Sequence, residues 1–546
     1  MKKILFLLFV STFVFTQPEI DCNNDAWGIG AELNDCGVCV GGDTCFDLYT
    51  TQFEDCSGDC FGDAYTNDCG VCVSGDVANQ HTACGDLNDD TFFNVLDVSL
   101  LLDHIIFHPI YNPLGDLNND LINNVIDIVI VVDKIINPTN SFFDLDPNGL
   151  TSSNITSAIQ SAIDNASADN LNLFFTNPNV VYTVNATITI PSNIEIDFNG
   201  ATIERDDNTN VIYGNILENS DTDNGNDNIV LKNLTIDGNA VYPDFIIHDP
   251  YDRFSGLKLS KVSESSLINI DVTETINAEH QCGITDGCGG GGPQSQSWTE
   301  TGASGIYFYR CDNIYCNELD AYENDRTGIT IFESDHITID GSVTYGNGGS
   351  GIGSRDSDYC NFYNIESYDN GTSDHPNPPE IHYSNVSVNG ECCVVNDLES
   401  FNSTGSGLNI GHANESSKAD YAVINDVTSY NNIFEGILIK NSDFVQISNS
   451  TIRNNKRNNI YIWSHVAEAT DASGYTITDE NIGNVNVFLD ASHTRINTSN
   501  VYGFHSEQAG VVDGDGDPIP PGGYGIKIRE GVGHFIDDNV NIYKNF

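Results

Sequence analysis

Three stretches of the chain lie over one another without a gap: GIYFYRCDNIYCNELDAYEND from Gly305, GITIFESDHITIDGSVTYGN from Gly328 and GIGSRDSDYCNFYNIESYDN from Gly351, each 23 residues after the last. Asp312, Asp335 and Asp358 fall in register, as do Tyr322, Tyr345 and Tyr368, and Asn324, Asn347 and Asn370. Looser copies start at Gly407 and Gly436. A unit this short, made of brief strands between Gly, Asn and Asp turns, buries its apolar residues only by stacking on its neighbours. A propeller blade takes roughly 40 residues, and a leucine-rich repeat brings its own Leu spacing and helices. Neither fits. The spacing predicts an all-β chain wound as a right-handed parallel β-helix, a solenoid with one repeat per rung, over 142–546.

Period-two alternation within the first strand of each repeat sends Ile306, Ile329, Ile352, Leu408 and Ile437 inward, followed two places on by Phe308, Ile331, Ile410 and Ile439. The Asn at the rung corner is suited to a left-handed turn and to stacking as a ladder. Ahead of the repeats, SNITSAIQSAIDNAS (Ser153–Ser167) reads as an amphipathic helix placed to cap the first rung and cover its strand edge. The order of that helix, then TITIP, then NGATI, resembles the pectate-lyase/pectin-lyase superfamily of right-handed β-helices, over about 142–546. The resemblance implies the fold, and a sheet face on which acidic polysaccharide is handled.

The register also predicts which side chains face outward. Two places after each repeat Gly stand Tyr307, Thr330, Gly353, Asn409 and Leu438. Four places after stand Tyr309, Phe332, Arg355, Gly411 and Lys440, and five after, Arg310, Glu333, Asp356, His412 and Asn441. Aromatic faces for sugar rings, with acids and amides for hydroxyls, are the mixture that a glycan cleft needs, so Tyr307, Tyr309, Phe332 and Asn409 are expected to bind substrate along an exposed sheet. A lyase or epimerase acting on a uronic acid needs a cation beside the carboxylate and a base for the proton on the adjoining carbon. Superfamily members commonly use Arg or Lys, or a His/Tyr pair, which puts Arg355, Lys440, His412 and Tyr309 in those roles and leaves Glu333, Asp356 and Glu415 for calcium. A glycoside hydrolase needs two carboxylates, and Glu333 and Asp356 sit on neighbouring rungs, about 5 Å apart at the backbone. The plain alternative is a solvated surface on which Arg310 and Glu333 form an ion pair of little energetic value. Two insertions, Cys282–Trp298 and Ser373–Tyr383, are placed to wall the face.

A second repeat lies upstream. GDLNDDTFFNVLDVSLLLDHII is followed 30 residues on by GDLNNDLINNVIDIVIVVDKII. Each offers hard oxygen ligands at the loop spacing that calcium uses, then an apolar helix. The first loop supplies Asp86, Asn88, Asp90, Asn94 and Asp97 with the carbonyl of Phe92; the second supplies Asp116, Asn118, Asp120, Asn124 and Asp127 with the carbonyl of Ile122. The duplicated loop–helix resembles the dockerin type I module over about 85–138, which implies Ca2+ as a cofactor and a cohesin-like or cell-surface partner. Thr91 and Leu121 stand where a calcium loop usually has Gly. DGDGD (Asp513–Asp517) is either a third calcium loop or a solvated turn.

The chain opens as a secretory signal: Lys2 and Lys3, an apolar run from Ile4 to Phe15, and cleavage expected near residue 17. No second run is long enough to span a membrane, and VIDIVIVVDKII (Val125–Ile136) reads as a buried helix. Residues 18–84 hold nine of the 16 cysteines, with DCGVC at Asp35–Cys39 and Asp68–Cys72. In a secreted chain these read as a disulfide framework, a spacer, rather than zinc or redox sites. A formal charge of −59 excludes a general nucleic-acid binder and points to salty surroundings, abundant divalent cations, or both.

Together these features describe a secreted or cell-surface protein active on an extracellular polysaccharide, lyase-like in chemistry. A non-catalytic glycan or matrix adhesin and a β-helix hydrolase are the alternatives. The calcium loops make a separate prediction: chelation lowers the first thermal transition of the full chain and leaves the β-helix transition in place. Unchanged transitions with and without chelator refute the loops.

Overall fold

In a computed structural model the described residues are chiefly 140–206, 215–239, 255–275, 304–324, 326–371, 383–411 and 418–455, with short stretches between 32 and 87, two helices between 95 and 136, and isolated strands from 460 to 543. The described residues from 140 on form a right-handed parallel β-helix. One sheet of eleven strands, all parallel, runs from Ile188–Ile190 to Ile526–Ile528 and forms the first side of every rung. The rest of each rung is a longer strand bent in the middle. Asp312–Tyr322, for instance, pairs with Asp335–Asp340 along one half and with Val343–Tyr345 along the other, so each rung has three sides.

The corners explain why the repeat tolerates so few insertions. Arg310, Asn313, Glu318 and Glu323 all take left-handed backbone, at φ of 54°, 55°, 52° and 54°. The same four corners recur at Glu333, His336, Gly341 and Gly346, and at Asp356, Tyr359, Asn364 and Asp369. L-residues reach this region at a modest cost, and a stacked architecture imposes it on every rung alike. All nine side chains predicted inward from the first strand, Ile306 to Ile439, lie in one continuous core.

The asparagine ladder is present, with one change in its geometry. The left-handed residue is the one before it, Glu323 rather than Asn324, and the ladder side chains point inward and are fully buried. Asn324 Nδ2 donates to Asn347 Oδ1 at 3.0 Å, and Asn347 Nδ2 to Asn370 Oδ1 at 2.9 Å. Each Oδ1 also accepts the backbone N–H of the Asn one rung back, at 3.1 and 3.2 Å. Just outside this corner Tyr322, Tyr345, Tyr368, Phe401 and Tyr430 stack at 4.8–5.2 Å between ring centroids, and the Arg453 guanidinium lies 4.3 Å from the Tyr430 ring centroid. Their faces cover one another, so this stack is structural rather than a platform for ligand.

The predicted capping helix is Ser152–Ala168, begun by Thr151, whose hydroxyl accepts from the Asn154 N–H at 3.3 Å. Ile155, Ile159 and Ile163 close the end of the core. Gln160 completes the cap by imitating a neighbouring strand: its Oε1 accepts from Thr189 N at 2.8 Å and its Nε2 donates to Thr189 O at 3.0 Å.

Upstream, helices Val95–Phe107 and Val125–Ile136 begin 30 residues apart, as their loops predict. Leu101 and Val131, equivalent positions in the two copies, are fully buried. The second helix is not wholly buried as expected: Val125, Ile126 and Val129 are more than half exposed. In the Cys-rich region Glu32–Leu33 pairs antiparallel with Cys39–Val40, and Tyr65–Thr66 with Cys72–Val73. Cys36 is bonded to Cys60 rather than to Cys39 of its own C-x-x-C, as in a structural framework. The signal segment lies outside the described residues, and no described helix is long and apolar enough to cross a membrane.

Removing a ladder carboxamide strands polar groups in a dry wall. Asn347→Ala leaves the Asn324 backbone N–H without its acceptor and removes one hydrogen bond each from Asn324 Nδ2 and Asn370 Oδ1, and is expected to destabilise the β-helix by about 2–4 kcal/mol. Denaturant unfolding checks this; a shift under 0.5 kcal/mol, the roughly neutral range for surface changes, refutes the ladder's role.

Candidate functional site

The outward face of the eleven-stranded sheet is built from two columns of side chains set by the pairing register. One reads Tyr307, Thr330, Gly353, Ser387, Asn409, Leu438. Beside it, Tyr309, Phe332 and Arg355 follow in register, then Asn389 and Gly411 from the next two turns, then Lys440. Rungs are about 4.8 Å apart. The middle of the face, between Phe332 and Leu438, therefore carries only small or amide side chains. It is a notch, floored by Gly353, Ser387, Asn409, Asn389 and Gly411, with Arg355 at one end and Lys440 at the other.

The two glycines differ in meaning. Gly411 is required by its backbone, at φ +77°, and by Lys440 O, which would stand 2.0 Å from any Cβ. Nothing of the kind holds Gly353. Among the described residues the only atom within 4 Å of a Cβ there is Thr327 Cγ2 at 3.8 Å. Among the described residues the space above it is open.

The polar groups of the notch are incompletely used. Asn409 Nδ2 donates to Ser387 Oγ at 3.0 Å and to Gly411 O at 2.9 Å, and Asn389 Nδ2 donates to Ser354 O at 2.9 Å and to Ser387 Oγ at 3.2 Å. Both amides are over nine-tenths buried, yet neither Oδ1 has a partner among the described residues. Arg355 Nε is likewise buried without an acceptor, its nearest carboxylate, Asp356 Oδ2, being 3.6 Å away. Ser260 Oγ, one rung before Tyr309, is a fourth such atom on this face. Buried polar atoms are normally satisfied, so among the described residues this face has hydrogen-bonding capacity to spare.

The predicted aromatic platforms are where the register put them but are not exposed. Tyr307, Tyr309 and Phe332 retain 2%, 7% and 4% of their accessible surface and form an apolar cluster of their own, outside the core. Tyr309 stacks on Tyr307 and on Phe332, at 6.3 and 6.0 Å between centroids. Cations lie over the rings: Lys258 Nζ 5.8 Å from Tyr307, the Arg310 guanidinium 4.9 Å from Tyr309 and that of Arg355 5.8 Å from Phe332. Facing out of the β-helix wall is thus not the same as facing solvent. These rings form the end wall of the notch and hold Arg355 beside it.

Of the other predicted residues, Glu333 accepts from Arg310 Nε at 2.6 Å, the ion pair that the plain alternative expects. Lys440 is half-buried at the far end. His412, Glu415, the Cys282–Trp298 insertion, nearly all of the Ser373–Tyr383 insertion and the 513–517 turn lie outside the described residues. Ser387 and Asn389 were missed from sequence because their rung, SNVSVNG, carries Asn385 where the others carry the repeat Gly. Its Val386/Val388 alternation was the signal that could have found it.

Charge is distributed unevenly around the rung. Lys258, Lys261, Arg310, Arg355 and Lys440, five of the chain's 20 basic residues, lie on this sheet or its following corner. The bent strands carry acids instead. Burial pushes the Asp320 carboxyl up to about 6, with the Asp271 and Glu318 carboxylates adding to the rise and the Val343 N–H opposing it. Asp271 is raised by burial as well, against a hydrogen bond from Thr235.

Only part of the predicted calcium loops falls among the described residues. Asp97 and Asp127, the last ligands expected of each loop, are fully buried and superimposable in role: Oδ1 accepts from Leu87 N in one and Leu117 N in the other, each at 2.9 Å. Asn124 Oδ1 accepts from Ile126 N at 2.8 Å, and Ile122 O from Asn124 Nδ2 at 3.0 Å. The described members, Asp97, Ile122, Asn124 and Asp127, offer oxygen atoms of the kind that calcium takes. Asp86, Asn88, Asp90, Phe92, Asn94, Asp116, Asn118 and Asp120 lie outside the described residues, and among the described residues no group of three or more His, Cys, Asp or Glu is placed to hold a metal.

No protein family is matched by the sequence, and no curated protein matches it. Among solved structures the A-modules of the Azotobacter vinelandii mannuronan C-5 epimerases AlgE4 and AlgE6 superpose with a TM-score of 0.50 at 13% identity, over 74% and 73% of this chain and 99% of each module. The Dettilon tailspike protein follows at 0.47 and 11% identity, over 74% of this chain and 68% of its own. Likeness at this identity is likeness of fold.

The raised Asp320 fixes a sign for pH dependence. Between pH 4 and about 6 the folded protein holds a proton that the unfolded chain releases, so this group makes stability fall as pH rises through that window. Asp320→Asn keeps an acceptor for Val343 N and is expected to be more stable than wild type at pH 7 but not at pH 4. Urea midpoints at the two pH values test it, and equal differences at both refute it.

Proposed function

We propose that this chain is a secreted polysaccharide-active protein that takes an acidic extracellular glycan into the notch of its eleven-stranded sheet, with lyase-like chemistry. The observation that carries the reading is the row of buried, unpartnered polar atoms, Ser260 Oγ, Arg355 Nε, Asn389 Oδ1 and Asn409 Oδ1, on the one face that collects cations. Amide oxygens without donors suit sugar hydroxyls, and a guanidinium without an acceptor suits a sugar carboxylate or sulfate. Mannuronan, the polymer named for two of the similar structures, is a chain of such sugars.

For the chemistry, Arg355 pairs with the carboxylate and so stabilises the charge that builds when a proton leaves the adjoining carbon. Lys440 and His412 are the candidates for taking that proton and returning one to the leaving oxygen. A hydrolase is less well served. Glu333 is committed to Arg310 and Asp356 sits beside Arg355, where each acts as a counter-ion rather than as a proton donor. Calcium in the N-terminal module serves folding in this reading, and docking to a cohesin-like partner stays attached to that module.

The test is to present the full chain with alginate, pectin and sulfated algal glycans, following binding and the ultraviolet absorbance of unsaturated products. Gly353→Tyr copies the Tyr307 rung into open space, so it is expected to melt with wild type while losing glycan binding at least about tenfold, or 1.4 kcal/mol. Arg355→Ala should weaken binding and flatten its salt dependence. Wild-type affinity in Gly353→Tyr sinks the notch as the site. Binding without any product in the unmutated chain makes the protein an adhesin rather than a lyase.

A further inference from the structure

Two adjacent cysteines on the wall of the β-helix have opposite fates. Cys393 faces inward as a free thiol, together with Cys311, Cys316 and Cys360. Cys392 occupies a left-handed corner at φ 62° and is in a disulfide. Its partner is not among those four.

Counting narrows the choice. The chain has 16 cysteines, of which four are the inward thiols, nine precede residue 85, and Cys282 and Cys288 lie six residues apart. Nine is odd, so the N-terminal set cannot pair completely within itself. Adding Cys392 makes it even and leaves Cys282 and Cys288 to each other.

Packing points the same way. Val38 and Val40, on either side of Cys39 in the first hairpin, are buried in one cluster with Val394 and Val423 of the β-helix wall, with Cys36 and Tyr363 at its margin. Val394 is two residues from Cys392. A segment more than 350 positions away in sequence is therefore laid against this corner.

We propose that Cys392 is disulfide-bonded to one of the seven N-terminal cysteines left after the Cys36–Cys60 pair, stapling the Cys-rich segment to the β-helix. In forming the bond the two thiols lose two protons and pass two electrons to a disulfide-donating oxidant of the secretory route, which is reduced to its dithiol. The staple turns the predicted spacer into a fixed part of the β-helix wall. It also lies three residues from Asn389, at the corner that bounds the notch, so it fixes the turn that carries that amide. The inference does not depend on what the notch binds.

The experiment uses the full chain, purified without reductant, with free thiols alkylated after denaturation. A Glu-specific protease cuts after Glu391 and Glu399 and releases residues 392–399, which carry Cys392 and Cys393. Mass spectrometry is expected to find this peptide alkylated once, at Cys393, and joined through Cys392 to a peptide from residues 18–84. In Cys392→Ser, one cysteine in residues 18–84 that is protected in wild type should become alkylated. Cys392 found alkylated, or joined to Cys282 or Cys288, or no new thiol in Cys392→Ser, overturns the proposal.

Discussion

The regular rungs share one contact repeated along the axis: the ladder carboxamide lying against the repeat glycine of its own rung. A Cβ on Gly305, Gly328, Gly351 or Gly407 would stand 2.8, 2.9, 2.8 or 2.6 Å from the Nδ2 of Asn324, Asn347, Asn370 or Asn432. The glycine is thus the seat of the asparagine, and the asparagine is what ties one rung's corner to the next. Because parallel stacking places each residue on its own equivalent, a requirement met once must be met at every level. The irregular rung obeys the same rule by exchange. Where the ladder position holds Ser403, too short to reach, the seat holds Asn385. Asn385 Oδ1 accepts from Asn370 Nδ2 at 3.1 Å, and its own Nδ2 donates to Ser400 Oγ at 3.0 Å and to Phe401 O at 2.9 Å.

That exchange explains where the sequence was legible and where it was not. The core of the first sheet could be read wherever a repeat glycine marks the rung, because Ile, Leu and Phe at fixed offsets from it have only one place to go. The rung at Val386 could not be read from that glycine, and Ser387 and Asn389 were lost with it. Burial of the outward aromatics was illegible for a different reason. Alternation tells which side of the wall a side chain leaves by, not what lies beyond the wall, and Tyr307, Tyr309 and Phe332 are covered on that far side. The ladder was foreseen, but its left-handed residue was placed one position late, since Asn is favoured both in that conformation and in the buried place next to it.

Charge supplies a second constraint. With 79 acidic and 20 basic side chains, repulsion along a stacked column is hard to avoid, and Asp271, Asp320 and Glu318 show its effect in the raised Asp320. Placing a cation on such a chain has a large local effect because few others compete for the same counter-ions. The cations on the notched sheet are spaced along the axis rather than paired across it. Some are already committed: Arg310 holds Glu333, and Lys258 lies over Tyr307. Arg355 is held more loosely, packed on Phe332 with Asp356 Oδ2 3.6 Å from an Nε that has no hydrogen-bond acceptor among the described residues.

Gly353 connects these points. The repeat allows a large side chain in its column, as Tyr307 shows, and neither its backbone nor its surroundings require a glycine. A gap in a solenoid face is destabilising in a small way, since it forgoes the stacking that Tyr309 and Phe332 enjoy next to it. The gap lies beside the buried Arg355 Nε and opens toward the two amide oxygens that no described group satisfies. Each of these is a local departure from what stacking alone would favour. They fall on consecutive rungs of one face, and a ligand carrying both hydroxyls and an anionic group relieves them together.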